Sequence, residues 1–368
     1  MKQYSIGIDG NEANVYKKVG VSVYTQNLVT YFQRKSNKTL NFDIYLRNKP
    51  IKTMPPKNKY FTYKIVKALF LWSQLFLPLN LIFNSKNDVF FSPAHYIPRF
   101  STIPTVVTIH DLSFLYYPAD FLKKDLYKLK NWTKQSIKKS KKIIAVSQST
   151  KNDIIKFYDV SENKIKVIYN GFEKKISKNK TDHKLINKLQ KQPYILYVGT
   201  IQPRKNIATL LDSFSQFIKE NSKFKLVIAG KKGWLYENIF NKINNLKLDR
   251  KVLFTDFVSD STLQELYKNA FCLVLPSFYE GFGIPILEAM DKGCPVISSD
   301  KSSLPEIGGD AALYFDPRDS DQLVSQLNNL KNHPDLRNTL ITHGKQRVKL
   351  FSWQKCAIET LKLLKEIQ

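Results

Sequence analysis

The chain has 368 residues, which is too many for one compact core and enough for two domains. Hydrophobic residues make up 43% of it and aromatic residues 13%, which excludes a disordered protein. Three widely spaced cysteines, Cys272, Cys294 and Cys356, form neither a disulfide framework nor a zinc pattern, and they indicate a reducing compartment. The first residues, MKQYSIGIDG, predict a β-strand rather than a signal peptide.

The net charge of +27 is concentrated in the first half of the chain. Residues 1–190 contain 34 Lys and Arg against 12 Asp and Glu, whereas residues 191–368 contain 24 against 19. A general lysine bias in composition would affect both halves alike, so it does not explain this difference. The first half is therefore expected to face something negative: an anionic membrane leaflet, a phosphorylated acceptor or nucleic acid.

Strand-like apolar runs alternate with longer helical patterns, which is typical of parallel sheets with crossover helices. In the first half the predicted strands are YSIGID, NFDIYLR, DVFFSP, TVVTIH, KIIAVS and KIKVIYN. Between them, a helix over about 120–139 carries an apolar stripe that we expect to face the core. That stripe consists of Leu122, Leu126, Leu129 and Ile137.

The most apolar run, ALFLWSQLFLPLNLIF at 68–83, is shorter than a membrane-spanning helix and is interrupted by polar residues and a proline. We interpret it as a buried helix and loop. The alternative is a surface that contacts a membrane.

A charged and polar stretch after the first half predicts a linker, which we place at 176–192. A second set of predicted strands follows: PYILYVGT, FKLVIAG, KVLFTDF, FCLVLPS, CPVISSD and AALYFDP. The chain ends in SWQKCAIETLKLLKEIQ, which predicts an amphipathic helix. Two similar α/β halves predict two facing doubly wound domains, with the ligand in the cleft at the carboxyl ends of the strands.

The stretch FYEGFGIPILE, residues 278–288, sets two acids around a glycine loop where a strand passes into a helix. Pro285 suits the first turn of that helix, and Gly293 suits its end. Free N–H groups and the helix dipole favour an anion at such a start, most simply a phosphate. Glu280 and Glu288 would then accept hydrogen bonds from hydroxyl groups on either side, as a nucleotide-sugar requires. A tight turn with two solvated acids is the alternative.

Three further features point to the same kind of ligand. In VGTIQPRKN, Arg204 and Lys205 follow a strand and can neutralise a diphosphate, although surface Arg-Lys pairs are common. His110 ends the strand TVVTI and is either functional or bonded to a backbone carbonyl. Gly20 lies in the first strand–helix connection, where it either lets a ligand approach or makes a turn.

These motifs resemble glycosyltransferase family 4, whose members are retaining enzymes of the GT-B fold. The resemblance covers nearly the whole chain and includes IGIDGNEANVYKKVGVSVYTQNL, VVTIHDLSFLYYP, YVGTIQPRKNI, YEGFGIPILEAM and SSLPEIGGDAALYFDP. The most similar branch is that of bacterial mannosyltransferases that build O-antigen and other surface polysaccharides. The resemblance implies two Rossmann-like domains, an acceptor-binding one at 1–175 and a donor-binding one at 193–350. A crossover helix at 351–368 would return to the first.

The resemblance also implies roles for individual residues. Glu280 would bind the donor sugar, Glu288 the ribose, and Arg204 and Lys205 the departing diphosphate, while His110 would lie between sugar and acceptor. The catalytic residues would thus be His110, Glu280, Arg204 and Lys205. The other donor-binding residues would be Gly20, Gly199, Thr200, Phe257, Val258, Gly281, Phe282, Gly283 and Ile284. Thr200 stands where many members have an arginine, so the phosphate charge would rest on the Arg-Lys pair.

The activity that the resemblance implies is transfer of a hexose, mannose from GDP-mannose, to a glycan or lipid-linked acceptor in surface polysaccharide synthesis. It implies no cofactor and no metal. A basic first domain fits a lipid-linked acceptor and a cytoplasmic enzyme that is peripheral on the inner face of the cell membrane. The alternatives are another GT-B enzyme such as a nucleotide-sugar epimerase, an inactive scaffold, or a nucleic-acid-binding protein. We expect no nucleic acid, because no recognised nucleic-acid motif accompanies the charge.

Overall fold

The computed structural model of the chain describes residues 3–68, 70–173, 180–233 and 237–367. The chain divides into two compact units. The first comprises Met1–Gly171 together with Phe351–Gln368, and the second comprises Phe172–Leu350. No helix in the described residues is both long enough and apolar enough to cross a bilayer.

Each unit contains one parallel sheet. The strands of the first unit are β1 (Tyr4–Asp9), β2 (Leu40–Leu46), β3 (Phe61–Ile65), β4 (Val89–Ser92), β5 (Thr105–Ile109), β6 (Lys142–Ala145) and β7 (Ile165–Val167). Those of the second unit are β8 (Tyr194–Val198), β9 (Lys225–Ala229), β10 (Val252–Asp256), β11 (Cys272–Leu275), β12 (Val296–Ser299) and β13 (Ala312–Phe315).

Most of the α-helices lie between these strands, and the last three follow β13. Those before the charged stretch are α1 (Val21–Lys35), α2 (Leu77–Asn84), α3 (Ser113–Tyr116), α4 (Lys123–Lys139) and α5 (Gln148–Tyr158). Those that follow are α6 (His183–Leu189), α7 (Ile207–Glu220), α8 (Glu237–Asn245), α9 (Asp260–Asn269), α10 (Ile284–Asp291), α11 (Leu304–Gly308), α12 (Ser320–Asn332), α13 (Pro334–Val348) and α14 (Trp353–Lys365). A π-helical turn, Trp72–Phe76, runs directly into α2, and short 3₁₀ turns lie at Pro118–Asp120, Glu162–Lys164, Pro203–Lys205 and Gly309–Ala311.

Both sheets have a doubly wound strand order. It is β3-β2-β1-β4-β5-β6-β7 in the first unit and β10-β9-β8-β11-β12-β13 in the second. The strand order therefore reverses between β1 and β4 and between β8 and β11. At such positions α/β sheets bind ligands at the carboxyl ends of their strands. The prediction of two α/β halves is confirmed. All twelve predicted strands are present, and the thirteenth, β3, is a partly exposed edge strand that its sequence FTYKI did not reveal.

The C-terminal helix α14 belongs to the core of the first unit. Its residues Cys356 and Leu364 are buried in one cluster with Leu28 of α1 and Ile6 of β1. The Tyr4 hydroxyl also lies within hydrogen-bonding distance of the carbonyl oxygens of Leu364, at 2.8 Å, and of Ile367, at 2.6 Å. The helix thus covers one face of the first sheet.

Gly171 fixes the place where α14 begins. A Cβ atom at Gly171 would overlap the backbone nitrogen and Cα of Trp353, which follows the N-cap residue of α14. The N-cap, Ser352, accepts a hydrogen bond from the Lys355 N–H at 3.1 Å. Only glycine permits this approach of two backbones, so the end of the first segment and the returning helix pack in direct contact.

The second unit includes part of the predicted linker. Residues 183–189 of the stretch 176–192 form α6, which buries Ile186 and Leu189 and packs against α9. Its N-cap, Asp182, accepts a hydrogen bond from the Leu185 N–H at 3.0 Å. Residues 176–179 of the predicted linker lie outside the described residues.

Two expectations about burial need correction. The run 68–83 is not buried on all sides: Trp72, Leu77 and Leu81 face the core, but the opposite side of the same helical segment is exposed. The core contacts only one face of this helical segment, so the apolar residues on its other face are exposed. The core stripe on α4 lacks Leu122, which is 52% exposed because the helix begins at Lys123 and a 3₁₀ turn precedes it.

Candidate functional site

The glycine loop of the second unit connects β11 to α10 as the sequence predicts. Gly283 immediately precedes α10 and has a φ of 105°, a conformation that favours glycine. Pro285 lies in the first turn, where its missing N–H costs nothing, and Gly293 follows the end of the helix with a φ of 69°. The loop therefore presents backbone N–H groups at the positive end of a helix dipole.

Two serines of the next strand–helix connection hold this loop in place. The Glu280 N–H donates to the Ser302 hydroxyl at 2.8 Å. The Ser303 hydroxyl, which is fully buried, lies 2.8 Å from the carbonyl oxygen of Glu280 and 3.0 Å from that of Phe282. These serines were not among the predicted site residues, although they lie in the motif SSLPE.

The second loop carries Arg204 and Lys205 in a 3₁₀ turn between β8 and α7. It contacts the glycine loop directly, because the Phe278 N–H donates to the Arg204 carbonyl oxygen at 2.9 Å. The Arg204 Nη1 donates to the Tyr279 carbonyl oxygen at 3.2 Å. Two loops that are about 75 residues apart in sequence thus form one surface at the carboxyl ends of β8 and β11.

A charge cluster lies where the two loops meet. The Lys205 Nζ is 2.5 Å from the Glu280 Oε1, and the Arg204 Nη1 is 3.9 Å from the Glu280 Oε2. The Ser277 hydroxyl donates to the Glu280 Oε1 at 2.8 Å. The side chains are 14% exposed for Lys205, 17% for Arg204 and 15% for Glu280, so water screens their interaction only weakly.

This cluster keeps Glu280 ionised. Burial works to raise the pKa of the carboxyl, but Lys205 and Arg204 outweigh it and hold the pKa below its usual range. Two cations then face one carboxylate, which leaves one net positive charge at the meeting point of the loops. Such a site attracts an anion that carries more than one negative charge.

Asn206 is a site residue that the sequence did not single out. It has a left-handed backbone, with a φ of 55°, and is the residue before α7. Its buried side-chain Nδ2 donates to the carbonyl oxygens of Pro276 at 3.1 Å and Pro317 at 2.6 Å. The Thr209 hydroxyl donates to its Oδ1 at 2.8 Å. The turn that carries Arg204 and Lys205 is thereby fixed to the end of β11.

Close backbone contacts fix the start of the same loop. The Gly199 N–H donates to the Ala229 carbonyl oxygen at 3.0 Å, and the Ile201 N–H donates to that of Lys231 at 2.9 Å. A Cβ atom at Gly230 would overlap the Gly199 carbonyl. Thr200 is exposed beside this contact.

The remaining predicted residues of the second unit lie at two other places. Glu288 is in the second turn of α10, where its Oε2 accepts a hydrogen bond from the Tyr267 hydroxyl at 3.0 Å. Burial and then the Glu288 charge raise the pKa of Tyr267. Phe257 is 62% exposed, and the Lys231 Nζ lies 5.3 Å from its ring centre, while Val258 beside it is half-buried.

His110 and Gly20 lie in the first unit. The His110 Nε2 is 2.8 Å from the Pro93 carbonyl oxygen, and because a carbonyl only accepts, Nε2 carries the proton. Burial, and then the neighbouring His95, lower the pKa of His110 to about 4, so the imidazole is neutral at pH 7. The Tyr24 ring packs edge-on against it, with the ring centres 4.9 Å apart.

A hydrogen bond to a backbone carbonyl is the structural alternative to a functional role for His110, and the bond to Pro93 is of that kind. It is compatible with the position of His110 at the end of β5. Gly20 precedes α1 with a φ of 48°, and a Cβ atom there would meet no other atom within 4 Å. Open space around a glycine at a helix start allows a ligand to approach the backbone. The catalytic and binding roles of both residues stay predictions.

No group of three or more His, Cys, Asp and Glu side chains in the described part of the chain is arranged to hold a metal ion. The three cysteines are buried and unpaired.

Comparison with known proteins agrees with this geometry. The family model "Glycosyl transferases group 1" matches residues 178–347, and "Glycosyltransferase Family 4" matches residues 20–175. The chain is 30% identical to O-antigen chain mannosyltransferase B of Escherichia coli over 293 residues, which are 76% of this chain and 74% of the relative. It is 35% identical to the O-antigen chain mannosyltransferase RfbU of Salmonella typhimurium over 238 residues, 64% of each chain.

A solved structure with the same architecture is HepE of Anabaena in complex with UDP and glucose. The TM-score is 0.73 at 18% sequence identity, and the match covers 99% of this chain and 100% of HepE. This likeness concerns the fold.

Removing the Asn206 side chain tests what holds the Arg204-Lys205 turn. We expect Asn206→Ala to lower the free energy of unfolding by about 2–3 kcal/mol, because two buried carbonyl oxygens lose their donor and alanine disfavours the left-handed backbone. Asn206→Gly is the matched control: it keeps the backbone conformation and should recover about 1 kcal/mol of the loss. Urea denaturation of the full chain measures both. Equal stability of Asn206→Ala and the wild type would contradict the role given to these hydrogen bonds.

The lowered pKa of His110 predicts a pH dependence of stability. The folded protein keeps His110 neutral down to about pH 4, whereas the unfolded chain takes up the proton near pH 6.5, so stability is lost as the pH falls through this range. Between pH 7 and pH 5 the wild type should lose about 2 kcal/mol more than His110→Gln.

The comparison with the variant is needed because Asp9 acts in the opposite direction. Burial raises the pKa of Asp9 to about 6, so its contribution to stability grows as the pH falls. His110→Gln retains an amide donor for the Pro93 carbonyl and leaves Asp9 in place. Parallel stability curves of the two proteins, measured by urea denaturation, would show that His110 is not held neutral.

Proposed function

The chain belongs to glycosyltransferase family 4 and has the GT-B fold, and on this premise we propose that it transfers mannose from GDP-mannose with retention of the anomeric configuration. The observation that carries this proposal is the contact of Arg204 and Lys205 with Glu280 at the start of α10. The choice of mannose rests on the two mannosyltransferase relatives.

The difficult step in this reaction is the departure of the nucleoside diphosphate. The bond between the anomeric carbon and the phosphate oxygen breaks, and negative charge develops on that oxygen. Arg204 and Lys205 supply fixed positive charge. The N–H groups at the start of α10 add the positive end of the helix dipole in the same region. Because their own loop bonds already hold these groups, they need little rearrangement when the charge develops.

The two glutamates would recognise the ends of the donor. Glu280, which is ionised and held beside Lys205, would accept hydrogen bonds from the sugar hydroxyls. Glu288, which Tyr267 orients, would accept them from the ribose. Following the family resemblance, backbone groups of Gly281, Phe282 and Gly283 would hold the sugar, and those of Ile284 would hold the phosphate. The exposed ring of Phe257, with Val258, would border the base.

Retention follows if the acceptor hydroxyl attacks from the face that the leaving group vacates. A bond forms between the acceptor oxygen and the anomeric carbon, and the proton of the acceptor hydroxyl passes to the departing phosphate oxygen. We propose this route on the family resemblance. His110, which is neutral and carries its proton on Nε2, would contact the sugar or the acceptor without taking up a proton at pH 7.

We propose that the reaction needs no metal, because the Arg204-Lys205 pair can supply the charge that a divalent ion supplies elsewhere. We propose a glycan or lipid-linked acceptor of surface polysaccharide synthesis, presented at the inner face of the cell membrane. The first unit is the basic one, with 31 Lys and Arg against 12 Asp and Glu, compared with 27 against 19 in the second. A lipid-linked diphosphate acceptor would fit that charge.

A transfer assay with GDP-mannose and a lipid-linked acceptor extract tests this function. We expect transfer of mannose that a chelator such as EDTA does not abolish, and a product with the anomeric configuration of the donor by NMR coupling. UDP-, dTDP- and ADP-sugars serve as competing donors. Transfer from one of these instead would correct the donor, and conversion of the nucleotide-sugar without acceptor would indicate an epimerase.

Charge-neutral variants sharpen the same assay. Glu280→Gln should lower the transfer rate by about a hundredfold, because its carboxylate contacts the reacting sugar. Glu288→Gln should mainly raise the KM for the donor, by about tenfold, since it contacts only the ribose. The matched control Glu237→Gln, an exposed acid in the first turn of α8, should be unchanged. Full activity of Glu280→Gln would contradict the proposed site.

A further inference from the structure

The outer side of the segment that runs from Phe70 through α2 is an exposed apolar surface. The exposed fractions are 64% for Phe70, 46% for Leu71, 43% for Leu75, 43% for Leu79, 41% for Ile82 and 77% for Phe83. Leu75, Leu79 and Ile82 are four and three residues apart, so they form one stripe along the helical segment, with Phe83 beside it. Residues 68–85 contain no charged residue. Isolated exposed apolar residues are normal, but a continuous stripe of this kind marks an interaction site.

The inner side of the same segment explains why the stripe stays outside. Trp72, Leu77 and Leu81 already pack against Tyr45 and Phe90 of the sheet. The Trp72 Nε1 also donates to the Val66 carbonyl oxygen at 2.8 Å. The segment is therefore fixed by one apolar face, and its second apolar face is available for a partner.

Cationic grooves border the stripe on two sides. A groove of about 890 Å³ has Ile82 and Phe100 on its wall, and its cations are Arg99, Lys139, Lys141, Lys142 and Lys164. A second groove of about 740 Å³ has Phe70 and Phe76 on its wall, and its cations are Arg47, Lys49 and Lys67. None of the residues that the structure places on either groove is acidic. The apolar stripe thus lies between two regions of one charge sign.

The loop that carries Phe100 connects the stripe to the larger groove. The Arg99 N–H donates to the Ser73 carbonyl oxygen at 3.1 Å, and the Gln135 Nε2 of α4 donates to the Arg99 carbonyl oxygen at 3.1 Å. Phe100 is 56% exposed, and the Lys139 Nζ lies 5.5 Å from its ring centre. Stripe, loop and α4 therefore form a continuous surface, and α4 contains seven lysines, including Lys139 of the groove, and only one acid, Asp125.

We propose that this surface, the docking face, binds an anionic bilayer leaflet, with the stripe and Phe100 entering the lipid interface and the groove lysines contacting lipid phosphates. An apolar face bordered by Lys and Arg is the chemistry that suits such an interface. A second copy of the chain fits poorly, because two such faces would bring cations against cations. A nucleic acid would contact the lysines, but the exposed leucines would add no binding energy to such a complex. The docking face belongs to the first unit, whereas the donor loops belong to the second.

Sedimentation with lipid vesicles tests the docking face with the full chain. We expect binding to vesicles that contain phosphatidylglycerol, little binding to pure phosphatidylcholine, and weaker binding as salt rises from about 50 to about 500 mM. Leu79→Ser/Phe83→Ser should lower the affinity for anionic vesicles by about tenfold or more, since it removes the side chains that enter the interface. The matched control Leu350→Ser/Ile358→Ser, which changes two apolar side chains that are 55% and 46% exposed elsewhere, should bind like the wild type.

A charge-reversal pair tests the groove in the same assay. Lys139→Glu/Lys141→Glu should weaken binding to anionic vesicles by about tenfold and reduce its salt dependence. Lys331→Glu/Lys349→Glu makes the same change in net charge on exposed lysines of the second unit, and it should have less than about a threefold effect. Equal losses in the two pairs would show attraction by net charge alone and would overturn the docking face.

A fluorescent probe reports insertion directly. Phe83→Trp should show a blue-shifted emission on anionic vesicles and quenching by brominated lipid chains, whereas Ile358→Trp should show neither. Light scattering without lipid identifies the competing occupant. If Leu79→Ser/Phe83→Ser dissociates a dimer but binds vesicles like the wild type, the face is an interface between copies and the proposal is wrong. Transfer to a soluble acceptor should be unchanged in this variant, so loss of membrane binding and loss of enzyme function are distinguishable.

Discussion

The contact of Lys205 with Glu280 is the interaction on which the donor site depends. It joins a loop after β8 to a loop after β11, and both side chains are only about one-seventh exposed. Removing one partner of a buried pair typically costs roughly 3–5 kcal/mol, because the other charge is left uncompensated. The bonds from Asn206 to Pro276 and from Arg204 to Tyr279 keep these two loops in register, while Ser277 and Ser302 hold Glu280. The pair is thus a structural element of the second unit as well as the basis of its proposed chemistry.

The two units carry different kinds of charge arrangement. At the donor loops of the second unit two cations, Arg204 and Lys205, are enclosed and face Glu280, which suits recognition of a defined diphosphate. In the first unit the cations are numerous and exposed around an apolar stripe, which suits attraction to an extended surface. The excess of positive charge in the first half of the sequence therefore has a local explanation in the grooves and in α4. Binding a soluble donor and binding an acceptor presented at a membrane would need these two different arrangements of charge.

Most of the fold and part of the site could be predicted from the sequence. Most of the buried parallel strands are rich in apolar residues, so twelve strands could be predicted from the sequence, whereas the edge strand β3 alternates apolar and polar residues over only five positions. Pro285 and Gly293 predicted the bounds of α10 because their backbone preferences are local. Asn206 and Ser303 could not be assigned, since their partners lie far away in sequence. For the run 68–83 the sequence left a buried segment and an exposed surface as alternatives, because apolar composition does not reveal which face meets the sheet.

Calorimetric titration of GDP into Lys205→Met and Glu280→Gln tests the central claim most directly. We propose that Lys205 attracts the diphosphate and that Glu280 contacts the sugar. The two variants should therefore differ in their affinity for GDP. Lys205→Met should weaken GDP binding by about tenfold or more, because it removes a cation and leaves the Glu280 carboxylate facing the phosphates. Glu280→Gln should change GDP binding by less than about threefold, since the amide oxygen of glutamine can still accept the Lys205 hydrogen bond and both cations stay in place. Wild-type affinity in Lys205→Met, or an equal loss in both variants, would contradict a diphosphate site at this charge pair.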